Sequence, residues 1–213
     1  MKKSLLIIGA GPGLSQSVAE RFAKEGFTIN LISRNATNLE KIKSGLQARG
    51  IEVAYATADA GNAGQLKEAI QSLSTQHGFD VVLYNAAVVK ALDIIEENPE
   101  VLVSDFTINV ANALTVLQIT HESLKQNKGA FLLTGGGLGV SPAAAYGSLS
   151  IGKAGVRSLA YQLHDRLKDE GIYVGLLTVA GFINPDSETH SPEHLANLFW
   201  GMYSERTEVE IHQ

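Results

Sequence analysis

The chain contains no cysteine among its 213 residues. This absence excludes disulfide bonds, thiolate nucleophiles and cysteine-rich metal sites, and it fits a protein of the reducing cytoplasm. Basic residues are also outnumbered, because 17 Lys and Arg stand against 22 Asp and Glu and give a formal net charge of −5. Without a basic cluster, nucleic acid is not an expected partner.

Long hydrophobic runs are lacking as well. Lys2 and Lys3 precede the apolar run Leu5–Ile8, as in a signal peptide, but Gly9 ends the run at once. A membrane-spanning helix needs about 20 apolar residues. We therefore expect a first strand here rather than a leader, and no membrane partner.

Short apolar segments alternate with longer amphipathic ones along most of the chain. Near-continuous apolar runs are typical of strands buried on both faces of a parallel sheet. Six segments are predicted as such strands: Ser4–Ile8, Thr28–Ser33, Glu52–Ala56, Val81–Tyr84, Ala130–Thr134 and Tyr173–Val179. Helical spacing of apolar residues predicts helices over Leu14–Glu25, Thr37–Arg49 and Ser150–Glu170, and the first two stop at Gly26 and Gly50.

This β-α-β order predicts one α/β domain over residues 1–213, a doubly wound, Rossmann-like parallel sheet with helices on both faces. Residues 191–213 are expected to add a short helix and an edge strand. Ser191 and Pro192 are typical of a helix N-terminus, and Glu208–Ile211 alternates polar and apolar residues as a half-exposed edge strand does.

The residues His190–His194 match the H-x-x-E-H pattern of some zinc proteases. That chemistry needs all ligands on one continuous helix. Pro192 indicates that His190 lies before the helix begins, and the other histidines are scattered. No metal site is therefore expected.

A glycine-rich loop follows the first predicted strand and opens the first predicted helix. It contains Gly9, Gly11 and Gly13, followed by Leu14. Glycine lets the backbone turn sharply and approach a pyrophosphate, and a helix N-terminus supplies free N–H donors and partial positive charge. The loop predicts a dinucleotide-binding site, although an ordinary tight turn would use the same residues.

Cofactor choice depends on the residues after the second strand. An acidic residue there would bind the ribose 2′-hydroxyl of NAD, but this chain has Ser33 and Arg34. Arg34 can pair with a 2′-phosphate and Ser33 can donate a further hydrogen bond. NADP(H) is therefore favoured over NAD(H); the alternative is that Arg34 merely begins a solvated helix.

These motifs resemble those of the short-chain dehydrogenase/reductase family, which has T-G-x-x-x-G-x-G at the loop. Gly9 and Gly13 match that pattern, whereas Ile8 replaces its threonine and Ser15 its last glycine. The resemblance runs at least to Gly181. It implies an NADP(H)-dependent oxidoreductase that transfers hydride between nicotinamide and a carbonyl or alcohol, a small-molecule substrate.

The resemblance also implies further cofactor-binding residues. Asp59 and Ala60 stand where the family contacts adenine, and Asn85 stands in its N-N-A-G motif. Lys153 matches the lysine that holds the nicotinamide ribose. The backbone of Ile183, in the loop after the sixth strand, stands where the family binds the nicotinamide amide.

The catalytic residues implied by the resemblance are incomplete, so the chain looks like an atypical member. Lys153 and Asn109 match the lysine of the family's Tyr-x-x-x-Lys pair and the asparagine of its water relay. Leu149 stands in place of the tyrosine and Gly136 in place of the serine that anchors the substrate oxygen. Leucine and glycine have no side-chain proton to give.

Tyr146 is the first candidate for a substitute proton donor, because it lies about one turn before Leu149 and Lys153 could tune its phenol. A packing role at the loop–helix junction is the alternative. Other hydroxyls near the predicted site belong to Tyr84, Thr134, Ser148 and Ser150. The candidate catalytic residues are therefore Asn109, Tyr146 and Lys153.

Two other functions are compatible with the sequence. The chain could bind NADP(H) as a catalytically inactive sensor or scaffold, or the glycine loop could be vestigial. The resemblance further implies a homo-oligomer that associates through two long helices, near Asp105–Gln126 and Ser148–Glu170.

Overall fold

The computed structural model describes residues 2–213. Its centre is a seven-stranded sheet in which all paired strands are parallel, in the spatial order β3-β2-β1-β4-β5-β6-β7. The strands are β1 (Ser4–Ile8), β2 (Thr28–Ser33), β3 (Val53–Thr57), β4 (Val81–Tyr84), β5 (Ala130–Thr134), β6 (Tyr173–Thr178) and β7 (Glu210–His212). The doubly wound α/β fold predicted from the sequence is confirmed.

Helices cover both faces of the sheet. They are α1 (Leu14–Lys24), α2 (Ala36–Gln47), α3 (Ala63–Leu73), α4 (Pro99–Phe106), α5 (Asn112–Gln126), α6 (Gly147–Leu167) and α7 (Pro192–Glu205). Gly26 and Gly50 have φ angles of 84° and 76° and follow α1 and α2 closely, as expected of glycines that stop helices. The helix predicted over Ser150–Glu170 begins three residues earlier, at Gly147.

Two apolar cores lie on opposite faces of the sheet, because successive side chains of a strand point in opposite directions. In β1, Leu5 and Ile7 pack into the core beneath α1, α2 and α7. Leu6 and Ile8 pack into the core beneath α3, α5 and α6. All four side chains have no exposed surface. Burial on both faces explains why the strands are continuous apolar runs in the sequence.

The first of the two long helices is not regular. Between α4 and α5 the turn Thr107–Ala111 is π-helical, a local widening that is frequent at functional sites. The whole stretch Pro99–Gln126 has a mean hydropathy of 1.3 over its most apolar window, which is long and apolar enough for a membrane span by composition alone. The stretch is not a continuous apolar run, because polar residues such as Asp105, Asn109 and Asn112 interrupt it. The stretch packs through Ala113, Val116 and Leu117 into a core of the domain.

The last strand pairs with β6 at the edge of the sheet, as predicted, although it covers Glu210–His212 rather than Glu208–Ile211. The polar–apolar alternation placed Glu210 on a half-exposed face. Its side chain is instead only 2% exposed. The alternation is local, whereas the partners that cover Glu210 come from α6 and β6.

Candidate active site

The candidate site lies at the carboxyl edge of the sheet, where the strand order reverses. From β1 the chain proceeds to β2 on one side, and β4 lies on the other side. Such a switch point leaves a crevice in which open α/β sheets bind ligands. A cavity of about 260 Å³ opens there. It is lined by Ile8, Gly9, Ala10, Ile32, Ser33, Arg34, Asn35, Ala58, Asp59, Ala60, Leu66, Asn85, Ala86, Ala87, Val88 and Ile108.

The glycines of the loop differ in the space around them. Gly9 has φ 82°, and a Cβ built on it would lie 2.5 Å from the backbone nitrogen of Ala86, so only glycine fits. Around Gly11 and Gly13, in contrast, no atom would lie within 4 Å of such a Cβ. Gly13 is the N-cap of α1 and provides no side-chain cap, which leaves the N–H groups of the first turn, beginning at Leu14, free for an anion.

Ser15 and Asn85 tie this loop to β4. The Ser15 hydroxyl donates to the carbonyl of Gly9 at 3.2 Å and accepts from the Asn85 side-chain amide at 2.8 Å. The sequence analysis assigned Asn85 to the cofactor and noted Ser15 only as a replacement for the last glycine of the family's loop. The hydrogen bond between them depends on two segments 70 residues apart, so no local pattern signals it.

The second-strand residues meet the cavity as the sequence suggested. Ser33 and Arg34 line it, and Arg34 is exposed. Within residues 2–213, the Arg34 guanidinium has no carboxylate within salt-bridge distance. An unpaired guanidinium at the rim of a cavity is suited to an anionic group of a ligand.

Asp59 and Ala60 line the cavity from the turn that follows β3. The Asp59 carboxylate accepts from the backbone N–H of Gly61 at 2.9 Å, and the Ala60 carbonyl accepts from the Asn112 side-chain amide at 2.6 Å. Asn112, on the first turn of α5, was not singled out from the sequence. Its contact fixes the turn that bears both cavity residues.

Lys153 lies further along the same edge of the sheet, outside the cavity lining. Its Nζ donates to the carbonyl of Thr134, the last residue of β5, at 2.9 Å. Burial lowers the pKa of Lys153 from its usual 10.5 to about 8, because desolvation disfavours the ammonium form. A Cβ on Gly136 would lie 3.2 Å from Lys153 Cε, so the lysine stem occupies part of the space that a side chain at position 136 would need.

Asn109 sits in the π-helical turn and faces the helix that carries Lys153. Its side-chain oxygen accepts from the backbone N–H of Val88 at 2.7 Å. Its side-chain nitrogen is buried and has no hydrogen-bond partner among the described residues. That nitrogen would lie 2.5 Å from a Cβ on Gly152, so the glycine before Lys153 permits the close approach of the amide.

Tyr146 is the N-cap of α6, and its phenol makes no hydrogen bond with the described part of the chain. Lys153 follows it by seven positions, so the two backbones lie about 10 Å apart along the helix axis. The Lys153 ammonium donates to Thr134, and no hydrogen bond joins it to the phenol within residues 2–213. Leu149, one turn from Lys153, is 6% exposed.

The other hydroxyls differ in their availability. Tyr84 donates to the Ile108 carbonyl at 2.5 Å, and burial raises the pKa of its phenol, so this side chain is a structural anchor rather than a proton donor. Ser150 is hydrogen-bonded to Ala143. The hydroxyl oxygens of Ser148 and Thr134 are buried without a partner in residues 2–213.

The loop after β6 completes this edge of the sheet. The backbone N–H of Gly137 donates to the carbonyl of Val179 at 3.0 Å, which joins this loop to the one after β5. Ile183 is 41% exposed and lies outside the cavity lining. At the end of the loop Pro192 begins α7 and Ser191 caps it, so His190 precedes the helix as predicted.

A parallel sheet with a glycine loop at its switch point defines the class of proteins that bind nucleotides in this crevice. The family model described as short chain dehydrogenase matches residues 3–195. The chain is also 30% identical over 177 residues to a diacetyl reductase [(S)-acetoin forming] of Staphylococcus epidermidis, an alignment that covers 82% of this chain and 69% of the relative. The protein therefore belongs to the short-chain dehydrogenase/reductase family, whose members bind NAD or NADP.

Solved structures show the same fold. An alcohol dehydrogenase from the archaeon Thermococcus sibiricus, complexed with 5-hydroxy-NADP, superposes with a TM-score of 0.87 at 21% identity, covering 99% of this chain and 95% of that one. A short chain oxidoreductase from Pseudomonas aeruginosa PAO1, with an atypical catalytic center, superposes with a TM-score of 0.88 at 14% identity, covering 99% and 94%.

Proposed function

We propose that this protein is an NADP(H)-dependent oxidoreductase that interconverts a carbonyl and an alcohol with a non-standard proton donor. The observation that carries the proposal is the cavity at the switch point, where the glycine loop, Asp59 and the unpaired Arg34 meet. Arg34 with Ser33, and no acidic residue beside them, favours a 2′-phosphate over a free 2′-hydroxyl.

Residues along the edge of the sheet could bind successive parts of the dinucleotide. The open space above Gly11 and Gly13 admits the pyrophosphate, next to the free N–H groups of α1. Asp59 and Ala60 would hold the adenine, and Lys153 the nicotinamide ribose. The unpartnered amide nitrogen of Asn109 supports the presence of a further polar group, water or ligand, beside Lys153.

Bound NADPH would supply a hydride, so the chain itself has to orient the substrate and move one proton to its oxygen. Two groups are candidates for that proton. Desolvation lowers the pKa of the Lys153 amine to about 8, which lets the ammonium release a proton near neutral pH. Tyr146 offers a phenol without other partners, placed further towards the start of α6. Asn109, held by Val88, would orient a water molecule for relay.

Thermal unfolding with NADPH, with NADH and without ligand tests the binding step. A ligand at a hundred times its dissociation constant adds about 2.7 kcal/mol to the free energy of unfolding. We expect a larger midpoint shift with NADPH than with NADH, and loss of that difference in Arg34→Ala. Lys41→Ala, which removes an exposed cation from α2, is the matched control. Equal shifts with both cofactors would contradict the preference for NADP(H).

Turnover is tested by consumption of NADPH with a panel of aldehydes and ketones. Tyr146→Phe decides between the two proton donors: a loss of about 10²-fold or more in kcat assigns the role to Tyr146. Unchanged turnover excludes Tyr146 and leaves Lys153 as the donor.

A catalytically inactive NADP(H) sensor or scaffold is the second candidate. Leu149 and Gly136 favour it, because neither position offers the hydroxyl that the family uses. Tight NADPH binding without any consumption of NADPH across the carbonyl panel would support it over the first proposal.

Association of two copies through the long helices is a further proposal. Apolar side chains on these helices are exposed, among them Val103 at 63%, Phe106 at 38% and Ile151 at 40%. Exposed apolar groups on neighbouring helices are typical of a contact surface. Light scattering coupled to size-exclusion chromatography measures the mass directly, and a mass of 22.7 kDa would contradict the proposal.

A further inference from the structure

Glu210 on β7 is a buried carboxylate whose oxygens are saturated by other elements. Arg157 on α6 donates from Nε to both oxygens at 2.9 and 3.0 Å and places Nη2 2.8 Å from Oε2. The Tyr161 hydroxyl donates at 2.8 Å and the Thr178 hydroxyl at 2.6 Å. His212 lies 3.4 Å away on the same strand. Burial by itself would raise the pKa of Glu210, but these hydrogen bonds outweigh it and hold the pKa at about 2.

Two of these donors lie on or beside the elements that position Lys153. Arg157 follows Lys153 by four residues, so it lies one turn further along the same side of α6. Thr178 Oγ1 would lie 2.8 Å from a Cβ on Gly135, the neighbour of the glycine that packs on the Lys153 stem. Glu210 thus joins α6, which carries Lys153, to the end of β6, which lies beside the end of β5 where Thr134 accepts from the lysine.

The same strand also supports the loop after β6. The backbone N–H of Gln213 donates to Thr178 at 2.9 Å, and Gln213 in turn accepts from the N–H of Ala180 at 2.6 Å. The ladder between β6 and β7 therefore extends to the first residues of the segment 179–183. In the proposed complex this segment lies against the nicotinamide.

We propose that Glu210 is a positioning residue, whose carboxylate holds Lys153 and the segment 179–183 in the arrangement that binds the nicotinamide half of NADP(H). This inference rests on the proposed function. A buried carboxylate that binds a guanidinium through two nitrogens has a fixed direction, and a neutral amide cannot accept the same set of donors. Cofactor contacts made by the elements it joins depend on that supporting contact.

The test compares Glu210→Gln with Glu208→Gln, which removes an equal charge two residues earlier from an exposed side chain. Dissociation constants are measured by calorimetry for NADPH and for adenosine 2′,5′-bisphosphate, which lacks the nicotinamide half. We expect Glu210→Gln to weaken NADPH binding about tenfold, or about 1.4 kcal/mol, because only NADPH contacts the displaced elements, and to leave bisphosphate binding within about twofold. The fluorescence of bound NADPH should shift in Glu210→Gln alone.

Equal losses for both ligands, or no loss for either, would overturn the inference while wild-type binding upholds the proposed function. Wild-type protein that binds neither ligand would overturn both. If Glu210→Gln does not fold, Thr178→Val removes one hydrogen bond to the same carboxylate without changing its charge. Thr178→Val should weaken the binding of NADPH and leave the binding of the bisphosphate unchanged. Any other result for this variant contradicts the inference equally.

Discussion

The close approach of the glycine loop to the segment after β4 depends on the absence of a Cβ at Gly9. Its φ of 82° is unfavourable for alanine by about 1–2 kcal/mol, and a Cβ would lie 2.5 Å from the Ala86 nitrogen. Neither backbone can move without disturbing β1 or β4. We expect Gly9→Ala to lower the free energy of unfolding by at least about 2 kcal/mol and the melting temperature by about 5 °C or more. Denaturant unfolding measures this loss.

Gly11→Ala is the matched control, because no atom lies within 4 Å of its Cβ position. The unliganded protein should then keep its stability, while NADPH binding weakens if the loop admits the pyrophosphate. A Gly11→Ala variant as unstable as Gly9→Ala would show that the loop is sensitive to any side chain, and the steric account of Gly9 would fail.

The buried amine of Lys153 predicts an unusual dependence of stability on pH. The pKa is lowered to about 8 in the fold from the ordinary 10.5, so the unfolded chain binds more protons between these values. Stability must therefore rise with pH across that window. From about pH 8 to about pH 10 the gain attributable to this group is about 2 kcal/mol.

The measurement compares urea unfolding of the wild type and of Lys153→Met at several pH values. The variant keeps the apolar stem and lacks the titrating group, so it subtracts the contribution of the buried tyrosines. The difference in unfolding free energy between the two proteins should change by about 2 kcal/mol over that range. Parallel curves would mean that the Lys153 amine is hydrated in solution.

Local sequence determines which residues approach the site, but not their hydrogen-bond partners. Ser33, Arg34, Asp59 and Asn85 follow strands, and the ends of neighbouring parallel strands meet at one edge, so their proximity to the cavity could be predicted. The contacts of Glu210 could not, because Arg157 lies 53 residues away in the chain. A glutamate in an alternating edge segment has the same pattern whether it is solvated or buried.

At the scale of elements, the N-terminal cap of α7 is expected to contribute to the stability of the protein. Ser191 accepts from the backbone N–H of His194 at 3.3 Å, and Pro192 occupies the first turn. Ser191→Ala removes this cap and should lower the free energy of unfolding by about 1 kcal/mol. Ser204→Ala on the last turn of α7 is exposed and should change the melting temperature by less than the cap variant. Equal effects of the two substitutions in thermal unfolding would contradict the capping role.

Strands were predicted more accurately than helices here for a physical reason. A strand buried on both faces is apolar at most positions, so local composition indicates its limits, and β1, β2, β4 and β5 have the predicted bounds. The π-helical turn at Thr107–Ala111, in contrast, cannot be recognised from local composition. It depends on the packing of Asn109 against Gly152 on another helix, which sequence periodicity does not report.

At the scale of the whole molecule, the switch point divides the proposed site between two halves of one sheet. Arg34 and Asp59 follow β2 and β3, on one side of β1. On the other side, Thr134, which holds the Lys153 amine, ends β5, and the segment 179–183 follows β6. A dinucleotide would therefore span both halves, and a ligand lacking the nicotinamide would reach only the first.

Hydrogen exchange can separate the two halves, because ligands slow exchange where they reduce local opening. Adenosine 2′,5′-bisphosphate should protect the loops after β1, β2 and β3, including Gly13, Arg34 and Ala60. NADPH should protect the same loops and also residues 135–140 and 179–183. Exchange is measured with each ligand at saturation, so that the difference in affinity between the ligands does not affect the comparison. Identical protection by the two ligands would contradict the placement of the nicotinamide beside Lys153, because the second half of the sheet would then respond without being contacted.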